Sequence, residues 1–407
     1  MGTPVCYNMT NNATSVVPQR KEDAKMKRVL PVLLVLAILL CACGSPEPTT
    51  VPTTAPTTQP TTAPTTAPTT APTTAPTTAP TTAPTTEPTT EPTTEPTTEP
   101  TEPPVVYRNP LNGLVLDVPF EGRVFAVTIN NVYQALPHHG ISQADVFFEM
   151  FINDYCTRGL ALFSNVEEVA SIGSVRSTRY NFTDLALAYN LILAHASASA
   201  SVLNDMYNEG VDNFSVDGYY GYRDDDRYYN QGYAWEHTLF VKGISLINAA
   251  EEKNFDLHMT GRDYGMVFTD IGTPANGEAA SEVEIIFTLY GYTKTTVMKY
   301  DEESGKYVFW QYGEEMVDEN NDKPEAFTNV IVILADSWNE GGYHVADLYG
   351  EGEGYFACGG KIVKIKWVHE NEEDPFTFFL EDGTPLQQGV GSTYVAIAPT
   401  GSPVNYK

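Results

Sequence analysis

The sequence predicts an α/β N-terminal domain, a mixed sheet with helices, followed by a β-rich C-terminal domain. A signal peptide and a disordered Pro/Thr-rich tether are expected ahead of them. Three observations carry this reading. Residues 46–104 repeat an Xaa-Pro-Thr-Thr unit and hold almost nothing apolar. Residues 105–272 alternate short β-rich runs with helical periodicity. Residues 280–400 are short alternating runs between glycine, asparagine or acidic turns.

The start of the chain reads as a targeting segment. Met26-Lys27-Arg28 is charged, and residues 29–40 are apolar apart from one proline. A helix of that length spans about 18 Å, too short for a bilayer core of about 30 Å. Residues 26–42 are therefore expected to be a signal peptide and not a membrane span. Leu40-Cys41-Ala42-Cys43 resembles a bacterial lipobox, with small Ala42 before the modified residue. Cys43 is the expected lipidation site and mature N-terminus. One acyl chain binds membranes marginally and stable anchoring takes two; the diacylglyceryl group implied by the resemblance meets that need. The expected partner is the lipid bilayer, and the expected location is the extracytoplasmic face of the cell membrane. Residues 1–25 have no place in this scheme and read as a mis-assigned start or an extension.

Residues 43–104 are the expected tether. Its unit changes from Ala55-Pro56-Thr57-Thr58 to Glu87-Pro88-Thr89-Thr90. Proline at every fourth position removes an amide donor, so neither helix nor sheet propagates. With so little to bury, ordering cannot be offset. A polyproline-II-biased spacer of about 3.1 Å per residue would extend on the order of 180 Å. It reads as a stalk through a thick wall, with its threonines as candidate sites for O-glycans.

The folded part follows in order. Residues 123–129, 145–151, 159–164 and 191–195 read as strands, and 182–189 and 243–252 as helices. This alternation predicts an α/β layer structure. Beyond a boundary near 270–281, strands are expected at 283–289, 295–300, 307–312, 330–334, 344–348, 361–368, 376–380 and 394–398. Gly350-Glu351-Gly352-Glu353-Gly354 reads as a glycine-rich hairpin and Asp224-Asp225-Asp226 as a solvated acidic loop.

The formal charge is −29, and residues 1–42 contribute +3, so the remainder carries about −32. Nucleic acid is excluded as a partner, because its phosphates need basic patches. No cofactor is expected. No metal is expected either, since Cys156 and Cys358 have no histidine close in sequence. Those two cysteines read either as a disulfide or as two separate buried thiols.

Several segments carry a resemblance. They are Asn109-Pro110-Leu111-Asn112-Gly113-Leu114, Ala126-Val127-Thr128-Ile129-Asn130-Asn131 and Gly140-Ile141-Ser142-Gln143-Ala144-Asp145. Thr157-Arg158-Gly159-Leu160, Gly173-Ser174-Val175-Arg176-Ser177-Thr178-Arg179 and Gly391-Ser392-Thr393-Tyr394-Val395 continue the series. In this order, over roughly residues 107–400, they resemble the YerB family of bacterial lipoproteins. The resemblance implies a two-domain extracytoplasmic lipoprotein and no particular activity. Arg223-Asp224, Arg227 and His237 match the family pattern. Ala196-Ser197-Ala198-Ser199 replaces its usual glycines, Glu236 a usual proline, and Thr238 a usual asparagine. A histidine typical of the family near Gly313 is replaced, with Glu314, Glu315 and Met316 there, so catalysis through it is not expected.

The candidate ligand-binding residues are Arg158, Arg176, Arg179, Arg223 and Arg227, a concentration of arginine in an acidic body. Guanidinium forks bind carboxylate or phosphate bidentately. Two readings stand: a cleft for an anionic cell-envelope ligand, such as a wall polymer, or internal ion pairing with Asp145, Glu149, Asp184 and Asp224. His195 and His237 are candidate general bases, with Asp184 or Glu149 as carboxylate partners. Asp145 and Glu149 also form a candidate carboxylate pair on one strand face. Three functions follow: a binding module, a wall-acting enzyme using a His/carboxylate pair, or a scaffold for other envelope proteins.

Overall fold

In a computed structural model of the chain, the described residues are 105–153 and 155–407. The extension, the signal peptide, Cys43 and the tether lie outside them. In chain order the N-terminal half supplies β1 (Phe125–Asn130), β2 (Val146–Asn153), β3 (Cys156–Phe163), α1 (Tyr180–Ala188), β4 (Ile192–His195), α2 (Ala200–Glu209), β5 (Asn213–Ser215), α3 (Asp225–Tyr229) and α4 (Gly243–Glu252). The C-terminal half supplies β6 (Glu282–Leu289), β7 (Tyr292–Asp301), β8 (Lys306–Gln311), β9 (Asn329–Ala335), β10 (Gly350–Cys358), β11 (Lys361–His369) and β12 (Thr393–Pro399), with shorter strands between. The C-terminal half is strand-rich and the N-terminal half is a mixed sheet with helices.

One sheet runs through both halves. Its order is Glu278–Ala279, β11, β10, β9, β12, β2, β3, β1, β4, β5. The joint is β12, which pairs in parallel with β9 on one side and β2 on the other. A strand from the far end of the C-terminal half thus sits mid-sheet between the two halves. It is buried along its whole length, as are β2 and β3 apart from the end of β2. Such runs are apolar without alternation because both sheet faces are covered. Phe147, Val127, Tyr394 and Ala396 belong to one face, where β6, β7 and β8 contribute Val283, Ile285, Phe287, Met298 and Phe309 and α4 contributes Leu246. Phe148, Leu160, Leu162 and Ile331 belong to the other, against Phe182 and Leu185 of α1 and Met206 of α2. Each such large side chain contributes about 1.5–3 kcal/mol on burial.

Two expectations changed, one helix was not expected, and the cysteine alternatives were decided. Residues 350–354 are not a hairpin but the start of the nine-residue strand β10. Gly352 lies opposite Trp367, and a Cβ there would come within 2.6 Å of the indole. The glycines admit a close approach rather than mark a turn. Residues 225–229 form a short helix, with Asp224 accepting from Arg227 N (3.1 Å) and Asp225 and Asp226 in its first turn. Acids there suit the positive end of a helix. Residues 200–209 form α2, which carried readable signals: Ser199 caps its start and Gly210, at φ +70°, its end. Cys358 is a free buried thiol, pushed up to about 11 by burial, so no Cys156–Cys358 bridge forms.

Candidate functional site

Three of the five arginines converge where residues 174–179 cross the end of β1. The segment is stitched in place by its backbone. Arg176 N donates to Thr128 O (3.0 Å), Ala196 N to Arg176 O (3.0 Å), and Thr178 N to Ser197 O (2.8 Å). Arg158 reaches it from β3 and donates through Nη1 to Ser177 O (2.7 Å). Arg179, the residue before α1, donates to Thr178 O (2.8 Å) and lies 4.4 Å over the Tyr343 ring. Arg176 faces Glu236 at 3.5 Å. Among the described residues, neither Arg158 nor Arg179 forms an ion pair with a carboxylate.

The electrostatics are those of crowded cations. Burial first, then the neighbouring Arg179 and Arg176, hold the Arg158 guanidinium well below its usual range. Burial, opposed by Tyr343 and reinforced by Arg176, brings Arg179 down to about 10. Arg176 is lowered by burial, against the pull of Glu236. The Nε atoms of all three are buried without a partner, as are Ser174 Oγ and Thr178 Oγ1. Buried donors of this kind are normally satisfied.

His237 borders the cluster. Asn130 Nδ2 donates to His237 Nδ1 (2.8 Å), which leaves the proton of the neutral ring on Nε2. Nε2 lies 3.8 Å from Glu236 Oε1, beyond hydrogen-bond length. Burial, opposed by Glu236 and assisted by Arg176, lowers the imidazole to about 4.

The other two arginines are engaged internally. Arg227 is 1% exposed, pairs with Glu319 and donates to Pro137 O (2.9 Å). Arg223 pairs with Asp217 (2.8 Å) and donates to Trp235 O (2.8 Å). The remaining candidates are dispersed. His195 Nε2 meets the amide oxygen of Asn213 (3.2 Å), and burial lowers its imidazole. Asp184 accepts from Asn181 within α1 (3.3 Å). Asp145 holds Asn112 and Ser164 (2.5 and 2.7 Å) and does not meet Glu149.

Glu149 is instead the centre of a network that sequence reasoning missed. Its carboxylate accepts from Lys294 and from Thr157 (2.5 Å), Asn131 (2.9 Å), Thr296 (2.9 Å) and Tyr394 (2.5 Å). Burial alone would raise its carboxyl, but Lys294 and these hydrogen bonds outweigh burial and the net direction is down. The legible signal was Lys294 itself, a lysine at an inward position of an alternating strand.

Among the described residues, no group of three or more His, Cys, Asp or Glu is placed to hold a metal. None of their helices is long and apolar enough to cross a membrane.

Comparison with known proteins gives a consistent result. Residues 111–256 match the N-terminal domain, and residues 286–395 the C-terminal domain, of a protein family of unknown function, DUF3048. The chain is 25% identical over 296 residues to "Putative lipoprotein YerB" of Bacillus subtilis (strain 168), covering 71% of this chain and 86% of that protein. It superposes on the crystal structure of the B. subtilis YerB protein with a TM-score of 0.63 and 24% identity, over 73% of this chain and 99% of that one. This likeness shows the shared fold. The chain belongs to the DUF3048 family, with both of its domains present and in order.

Proposed function

We propose that the protein is a lipoprotein, anchored through Cys43 on the extracytoplasmic face of the membrane, that binds an anionic group of a cell-envelope ligand at Arg158, Arg176 and Arg179. One observation carries the binding reading: three neighbouring guanidiniums share one carboxylate, Glu236, held at 3.5 Å by only one of them. Buried cations are normally paired. A phosphate or carboxylate would supply the missing counter-charge. The anchor rests on Leu40-Cys41-Ala42-Cys43 and on the likeness to a protein named as a lipoprotein.

The test is retention of the full chain on isolated cell-wall material. Retention is expected, weaker with added salt and abolished in an Arg176→Ala/Arg179→Ala variant that still folds. Soluble fragments released by the wild type and lost in His237→Ala would replace this reading with an enzymatic one. Neither retention nor fragments would leave the scaffold role.

A further inference from the structure

Lys294, on β7, is the one buried lysine among the described residues. The centroids of the Phe287, Phe309 and Tyr312 rings each lie 5.8 Å from its Nζ. Nζ donates to Glu149 Oε1 and to Thr296 Oγ1 (2.5 Å). Asn131, which follows β1 in the other half of the chain, is fully buried. Its Nδ2 donates to the same Oε1 (2.9 Å) and to Thr157 Oγ1 (3.0 Å). Its Oδ1 accepts from Gln311 Nε2 (2.7 Å), and Gln311 is buried as well.

An amine, a carboxamide and a carboxylate therefore meet at one oxygen, away from water. These are the groups that amide exchange requires. Glu149 is within hydrogen-bond reach of both nitrogens, so it can carry protons between them. Gln311 Nε2 stands where negative charge would develop on Oδ1. Holding two reactants in place is equivalent to raising their concentration to about 10⁵ M or more. Burial lowers the Lys294 ammonium from its usual range, towards the neutral amine that can attack. The product would also replace two buried charges with neutral groups, which relieves their desolvation. We propose that Lys294 and Asn131 form an intramolecular isopeptide bond, tying β7 to the end of β1. Glu149 takes one proton from the Lys294 ammonium, and the freed amine attacks Asn131 Cγ. Glu149 then delivers that proton to Nδ2 and takes a second one from Nζ. The Cγ–Nδ2 bond breaks, ammonia leaves, and Glu149 ends protonated and neutral. The ion pair between Lys294 and Glu149 is the state before this step.

The test is peptide mapping by mass spectrometry. The full chain is purified folded, then denatured and digested with trypsin. The peptide holding Asn131 and the peptide holding Lys294 are expected as one branched species. That species is expected to be one ammonia lighter than the two peptides together, with no cleavage after Lys294. Lys294→Arg keeps a cation beside Glu149 but removes the amine, and is expected to give the two peptides separately at full mass. The wild-type map decides the matter even if that variant does not fold. Separate wild-type peptides at full mass would overturn the proposal. So would a branched species lighter by one water, which would place the bond on Glu149. An ammonia loss confined to the Asn131 peptide would overturn it too, since that marks closure of the asparagine onto its own backbone.

Discussion

Two charge clusters, one buried and one partly so, sit a few residues apart and are built in opposite ways. Around Glu149, one carboxylate meets one ammonium and four further donors. Around Arg158, three cations meet one distant carboxylate. Consecutive residues divide them: Asn130 bonds to His237 beside the arginines, and Asn131 to Glu149 and Gln311. Successive side chains along an extended chain point to opposite faces, so one dipeptide serves both clusters. The difference teaches that burial alone does not identify a ligand site. The Glu149 cluster meets its charge from within the chain, and the arginine cluster meets its own only in part.

The sharpest way to break this comparison is to unbalance the complete cluster. Lys294→Met leaves Glu149 buried without its cation and is expected to cost about 3–5 kcal/mol. Adding Glu149→Gln is expected to restore much of that loss. Denaturant unfolding measures both, and a single-variant cost below about 1 kcal/mol would show that the pair does not hold the sheets together.

The incomplete cluster should respond less. Arg179→Leu removes a desolvated cation from beside two others and is expected to cost less than about 1 kcal/mol of stability. A loss several times larger would mean that the cluster is structural after all. The same variant should lose retention on wall material.

His237 supplies a pH test. Its imidazole is held near 4 in the fold, below the ordinary 6.5. The neutral ring is therefore the form the fold favours. Its contribution is fully present above pH 6.5 and is lost as pH falls towards 4. His237→Asn should flatten the stability profile in that window, and an unchanged slope would contradict the assignment.

The smallest effect concerns Glu236. It contacts Arg176 only at 3.5 Å and is partly exposed, so Glu236→Gln should change stability little. It should tighten anion retention a few-fold by removing a competing charge. Weaker retention would make Glu236 part of the site rather than its competitor.

Much of the strand pattern was legible because periodicity is local. β6, β8, β9 and β12 lie within a residue or two of their expected bounds, and α4 coincides with its expectation. The strand at 350–358 was hidden because its glycines serve packing against Trp367 rather than a turn. The arginine site was half legible. Arg158, Arg176 and Arg179 stood out by residue type and spacing, but nothing local separated them from Arg223 and Arg227.

By itself, the sequence determined the strand-rich character of the second half, the mixed pattern of the first, and the inventory of arginines. Only the tertiary structure decided that β12 returns to join both halves in one sheet, and which charges are paired. Glu149 meets Lys294 across 145 residues, and Arg227 meets Glu319 across 92. Strand propensity is set by neighbours along the chain. Charge satisfaction is set by neighbours in space, and in this fold those partners come from the other half of the molecule.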